Sequence, residues 1–341
     1  MKRLIYLLFC PFIFSCVEKS NKARPGPDTA SVTVNEQTFL ELGGEKQYVE
    51  ITGTTPDKPV LLFLHGGPGW PQTPHLRYFN AGISDSMTLV AWEQRGCGKS
   101  YMQNPAAQNM SLERIVEDGH ELTLWLKEKF WKDRIYLAGF SWGSVVGLKL
   151  IEKYPEDYAA YFGIAQVLNI RQSIKRSRIW IAEQARGKDD IQTLRVLDQL
   201  EKGDTSLCKG ELNCFLKQHE LLSKYGGAIF SKEAEKEIQK AETQYEDYKN
   251  YDWFAAFKYS AEHLEKDMFE VDLTGIRSLK IPVYFLLGRH DWNLVSAITE
   301  EFAKQLNAPH KEIIWFEQSG HEPLEEEAGK FNTTIIHLVG K

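Results

Sequence analysis

The runs VLLFL (60–64), MTLVAW (87–92), IYLAG (135–139), IPVYFLLG (281–288) and EIIWF (312–316) do most to limit how this 341-residue chain folds. Each is too short for a buried helix and lacks polar alternation, as expected of a strand covered on both faces. Helical patterns lie between them. SLERIVEDGHELTLWLKEKF (111–130) opens on a serine suited to an N-cap and repeats apolar residues at Ile115, Leu122 and Leu126. A second helix runs from Trp142 to Tyr154 and stops before Pro155, because the residue preceding a proline is pushed out of the α region. YAAYFGIAQV (158–167) adds another strand, and two antiparallel strands with Gly43-Gly44 between them precede the whole set.

The alternation then breaks. From 168 to 275 the chain is strongly charged, helical in pattern and free of buried-strand runs, and strand and helix resume at Ile281. The expectation is an α/β fold. A mostly parallel sheet flanked by helices (31–167 and 276–341) would carry a helical cap (168–275) inserted after the sixth strand. At 43% hydrophobic residues the chain can fill a sizeable core.

The N-terminus is unlike the rest. Lys2 and Arg3 precede an uncharged apolar run, Leu4 to Phe14, too short to span a bilayer comfortably and shaped like the core of a signal peptide. It ends in Ile13-Phe14-Ser15-Cys16, which resembles a bacterial lipobox. Residues 1–15 are therefore expected to be a lipoprotein-type signal, with Cys16 bearing lipid and 16–30 forming a polar tether. The protein would be exported and anchored to a membrane, with an ordinary cleaved signal or an uncleaved anchor as alternatives. Export would let Cys208 and Cys214 pair in an oxidising compartment, although spacing alone leaves that bridge open. Cys97, in RGCGKS, reads as a small residue in a tight turn. A net charge of −6 without a basic block argues against a nucleic-acid partner. No cluster has zinc spacing, and no metal or cofactor is expected.

The chemistry concentrates where IYLAG passes through Gly139-Phe140-Ser141-Trp142-Gly143 into a helix. A serine on a strained strand-to-helix turn projects its hydroxyl above the sheet edge. It becomes a useful nucleophile only with a base, and the base needs an orienting carboxylate. In chain order the serine of such a turn is followed by an acid and then a histidine. Asp291, just past the end of IPVYFLLG, and His321, in the loop after EIIWF, fill those places on one edge of the sheet. His290, His310, His337 and Asp272 are less well placed. Acyl transfer also needs donors for a developing oxyanion. The N–H of Trp142 is one natural donor. The other would come from the loop His65-Gly66-Gly67-Pro68-Gly69, in which His65 reads as a loop-holding residue.

His65-Gly66-Gly67-Pro68-Gly69, WEQRGCGKS (92–100), Gly139-Phe140-Ser141-Trp142-Gly143-Ser144, Asp291 and Ser319-Gly320-His321 together resemble the proline iminopeptidase family of α/β-hydrolases. The resemblance covers about 31–166 and 281 to the end. It implies the α/β-hydrolase fold, a Ser141–His321–Asp291 triad acting through an acyl-enzyme, and oxyanion donors at Gly67 and Trp142. It further implies aminopeptidase activity on short peptides. Two features depart from the family. Glu93 stands where an aspartate is usual, and the cap lacks the Trp-Glu pair that holds the substrate's amine. Glu183 and Glu262 are candidate amine acceptors, although each is better explained as a solvated helix-face charge. A carboxylesterase or amidase acting on a small ester or neutral amide is the alternative within the fold. A non-catalytic binding lipoprotein is a remote one.

Overall fold

The computed structural model describes residues 34–340. The signal-like segment, Cys16 and the tether lie outside these residues. Among the described residues, no helix is long and apolar enough to cross a membrane.

Eight strands form one sheet: β1 (Val34–Leu42), β2 (Glu45–Gly53), β3 (Val60–Leu64), β4 (Thr88–Glu93), β5 (Ile135–Phe140), β6 (Tyr158–Ile164), β7 (Val283–Gly288) and β8 (Lys311–Phe316). Their order is β1-β2-β4-β3-β5-β6-β7-β8. The β1–β2 and β2–β4 pairs are antiparallel and all others parallel. Every residue of β3 is buried. Leu62 and Leu64 pack with Val145 and Tyr161 on one face, whereas Leu61 and Phe63 pack with Phe140 and Phe162 on the other. Two covered faces explain why the strand is apolar at every position.

The helices of the first half are α1 (Thr73–Phe79), α2 (Gly98–Gln103), α3 (Leu112–Lys129) and α4 (Trp142–Lys153). The Ser111 hydroxyl caps α3 by accepting the Arg114 N–H at 3.2 Å. Between β6 and β7 run α5 (Ile170–Gly187), α6 (Ile191–Glu201), α7 (Gly210–Lys224), α8 (Lys232–Gln244), α9 (Trp253–His263) and α10 (Glu265–Glu270). The chain closes with α11 (Ser296–Gln305), α12 (Pro323–Glu326) and α13 (Ala328–Val339). This is the α/β-hydrolase fold, a mostly parallel sheet between helices, and α5–α10 form its cap.

The cap has its own small core around Ile181, Leu197, Leu200 and Leu222. Cys208 and Cys214 are bridged at the start of α7, with Cα atoms 5.2 Å apart. The segment joining α8 to α9 fastens the cap to the sheet. Asp247 pairs with Arg77 at 3.0 Å and Lys99 at 2.6 Å, and the Gly98 N–H donates to the Tyr251 hydroxyl at 2.8 Å. Glu93 ends β4 beneath this contact. Its carboxylate accepts the Lys99 N–H at 2.6 Å and the Tyr248 hydroxyl hydrogen, so the acidic position is retained as a support for the cap. Cys97 lies buried in the turn below, where burial pushes its thiol pKa up.

Candidate active site

Ser141 sits at the bend between β5 and α4 with φ 49° and ψ −117°, a conformation strained for a residue with a side chain. Glycines make the bend possible. A Cβ on Gly139 would come within 2.5 Å of the Gly143 carbonyl oxygen, and one on Gly143 would collide with that of Leu64.

The three residues expected to act together do meet. The Ser141 hydroxyl lies 3.0 Å from His321 Nε2, and His321 Nδ1 lies 2.9 Å from Asp291 Oδ2. With the Nδ1 proton donated to Asp291, Nε2 is free to accept the serine hydrogen. The other oxygen of Asp291 accepts the N–H groups of Asn293 and Leu294, each at 2.9 Å, which fixes the carboxylate's direction. Burial pulls the His321 pKa down, but the charge of Asp291 and its hydrogen bond outweigh burial. With smaller help from Glu322 and Glu326, the value is raised above the usual imidazole range.

Gly67 and Trp142 line the same cavity as Ser141. Trp142 is the first residue of α4, where an N–H has no acceptor within the helix. Gly67 has φ 104°, a value that favours glycine. His65 supports this loop as expected: its Nδ1 donates to the Gly66 carbonyl at 2.7 Å, and its Nε2 accepts the Gln94 N–H at 3.1 Å. Burial holds its pKa down at about 4, so it stays neutral and suits that paired donor–acceptor role.

The cavity above Ser141 has a volume of about 400 Å³. Glu183 and Glu262 are exposed and take no part in its walls, the latter pairing with Lys258 at 3.8 Å. Two other carboxylates do line it, Glu242 on α8 and Glu322 beside His321. Glu242 accepts the Trp70 indole N–H at 3.2 Å and stands 3.8 Å from His75 Nε2. Burial raises its pKa. Glu322 is raised well above the usual range by burial and by the charge of Glu325. Glu325 in turn accepts from Gln72 at 2.5 Å and from His75 Nδ1 at 2.9 Å. Neither carboxylate stands out in the sequence. Glu242 belongs to a helix of alternating charge, and Glu322 carries only its adjacency to His321 as a signal.

The triad loops are tied to the cap. The His321 N–H donates to the Ala228 carbonyl at 2.6 Å and the Trp292 N–H to that of Gly227 at 2.9 Å. Glu326 completes the tie. It accepts the N–H of Gly320 at 2.7 Å with one oxygen, and those of Phe230 and Ser231 at 2.7 and 3.2 Å with the other.

The chain is similar to known proteins over most of its length. The family model for the serine aminopeptidases of family S33 matches residues 83–328. The probable aminopeptidase YbaC of Bacillus subtilis is 29% identical over 91% of this chain and 97% of its own length. The proline iminopeptidase of Clostridioides difficile is 25% identical over 49% of this chain and 55% of its own length. Among solved structures, the proline iminopeptidase of Mycobacterium smegmatis superposes with a TM-score of 0.64 at 16% identity, over 89% of this chain and 98% of its own. An esterase of Exiguobacterium antarcticum gives 0.61 at 16% identity, over 90% and 100%. Both likenesses concern the fold. The chain belongs to the serine aminopeptidase S33 family and is a hydrolase of the α/β serine type.

Proposed function

We propose that the protein is an aminopeptidase that works through an acyl-enzyme on Ser141. His321 takes the hydroxyl proton as Ser141 attacks the carbonyl carbon, and Asp291 keeps the imidazole oriented. The N–H groups of Gly67 and Trp142 receive the developing oxyanion, His321 returns the proton to the leaving amine, and water then releases the acyl group. The observation carrying this reading is the hydrogen-bonded series Ser141–His321–Asp291, at 3.0 and 2.9 Å, lining a cavity of about 400 Å³.

Glu242 and Glu322 favour an amine-bearing substrate over a neutral ester. Two half-buried carboxyls with raised pKa values lack a full cationic partner, and a substrate ammonium would supply one. The likeness to a probable aminopeptidase over nearly its whole length points the same way.

A fluorophosphonate probe should label the protein and fail to label Ser141→Ala. Aminoacyl-naphthylamides should be cleaved while their N-acetylated forms are not. Labelling that survives the substitution removes the nucleophile assignment, and equal turnover of free and blocked amines removes the aminopeptidase assignment. Export with a lipid on Cys16 belongs to the same proposal, supported by a bridge of the kind that persists in oxidising compartments. Fatty-acid labelling that persists in Cys16→Ala would refute the anchor.

A further inference from the structure

The lining of the cavity falls into two unlike sets of residues, its two arms, which the sheet order helps to separate. β3 and β6 flank β5 on opposite sides, so the loops leaving them diverge from Ser141 in opposite directions. On the β3 side, α1, α8 and α12 pack together, with His75 on α1, Glu242 on α8 and Glu322 immediately before α12. On the β6 side the walls come from Val145 of α4, Val167 and Ile170 before and in α5, Phe215 and Leu216 of α7, and Met268 of α10. That second arm is apolar apart from His219 of α7 and Asn293.

His219 stands one helical turn beyond Phe215, with ring centroids 6.3 Å apart, so both rings face the arm. It lies close to His321 and Asp291 and within reach of the Asn293 side chain. Desolvation and the neighbouring His321 push its pKa down, leaving a neutral imidazole with one donor and one acceptor. None of the described residues lining the cavity is a lysine or arginine.

We propose that the apolar arm is the leaving-group site, that it selects an apolar and uncharged leaving amine, and that His219 makes its polar contact with that group. This rests on the aminopeptidase reading, which puts the substrate's ammonium in the acidic arm and so sends the departing residue into the other. A leaving residue ending in a free carboxylate would have to be desolvated with no lysine or arginine to pair with, and such a burial is heavily disfavoured. A residue whose carboxyl is capped, as in an amide or a longer chain, meets no such penalty and hydrogen-bonds to the neutral His219. The substrate class is therefore a free-amine acyl group joined to a hydrophobic residue that is itself carboxyl-blocked or extended.

The test uses the full chain and three compounds with one acyl group: an aminoacyl-leucinamide, the matching aminoacyl-leucine, and the aminoacyl methyl ester. The leucinamide should exceed the free acid in kcat/KM by at least about tenfold, which corresponds to about 1.4 kcal/mol. His219→Ala should lower kcat/KM for the leucinamide by about fivefold and leave the methyl ester nearly unchanged, as the loss of one hydrogen bond predicts. His219→Gln, which retains a donor and an acceptor, should recover part of the loss. Equal or better turnover of the free acid overturns the leaving-group assignment, and equal losses on amide and ester overturn the role of His219. The wild-type comparison stands even if a variant fails to fold. If the wild type cleaves none of the three, the aminopeptidase reading itself has failed, and this inference falls with it.

Discussion

The main-chain N–H of His321 donates to the carbonyl oxygen of Ala228 across 2.6 Å, so the proposed base is held by the cap as well as by Asp291. Gly320 lies so near this contact that a Cβ there would collide with the same oxygen. Gly320→Ala should therefore displace the histidine loop. A misplacement of about 1 Å costs about 100-fold in rate, so kcat should fall by that order while circular dichroism stays unchanged. Wild-type kcat in this variant would mean that the two loops separate without consequence.

Asp291 divides its oxygens between His321 and two backbone N–H groups, and only the carboxylate serves both. Asp291→Asn should reduce kcat by about 10⁴, because the imidazole is then held in the wrong tautomer. Steady-state kinetics on an aminoacyl-naphthylamide measures this, and a small loss would point to another orienting group.

The base must be neutral to accept the serine proton, and its pKa is raised mainly by Asp291 against the opposing effect of burial. The acid limb of the kcat/KM profile should accordingly lie above about pH 6.5, the ordinary imidazole value. Glu326→Gln removes one of the smaller charges that raise it, so its limb should move to lower pH. An unmoved limb would dissociate Glu326 from His321 electrostatics.

Burial drives the Glu326 pKa from 4.5 up to about 7, against the pull of the backbone donors it binds. The folded chain thus holds a proton that the unfolded chain releases between those values. The stabilisation is present at acid pH and disappears as pH rises through about 7. Thermal melts between about pH 5 and about pH 8 should show falling Tm across this window, with a flatter curve for Glu326→Gln. Parallel curves would contradict the assignment.

The Cys208–Cys214 bridge closes a short loop, its cysteines six residues apart, at the foot of α7. A loop of that size is worth about 2 kcal/mol in the chain-entropy model. Cys208→Ser should cost that much or less in denaturant melts and raise KM for bulky leaving groups, because Phe215 directly follows Cys214. Identical KM values would uncouple the bridge from the cavity wall.

What is legible in the sequence follows from how local the cause is. The strands of the sheet are covered on both faces, so their apolar runs stand out, and Ser141 is marked by glycines that two close approaches require. Asp291 and His321 are legible because chain order and strand ends confine them to one edge. The cap is harder. A charged helix shows no preference between solvent and cavity until its neighbours are known, and so Glu183 and Glu262 look as eligible as Glu242. His219 is hidden for the same reason: its importance comes from residues 72 and 102 positions away, Asp291 and His321. Glu93 departs from the family pattern, yet its carboxylate still reaches Lys99 and Tyr248.

The stitching of residues 227–231 to the loops of Asp291 and His321 has a bearing on how the protein comes into being. The serine bend is complete once β5 and α4 have packed, but the histidine loop is fastened only after some hundred further residues have folded back over the sheet. A half-finished molecule consequently carries an unassisted hydroxyl. Competence on this geometry is a property of core and cap together, not of the serine bend alone.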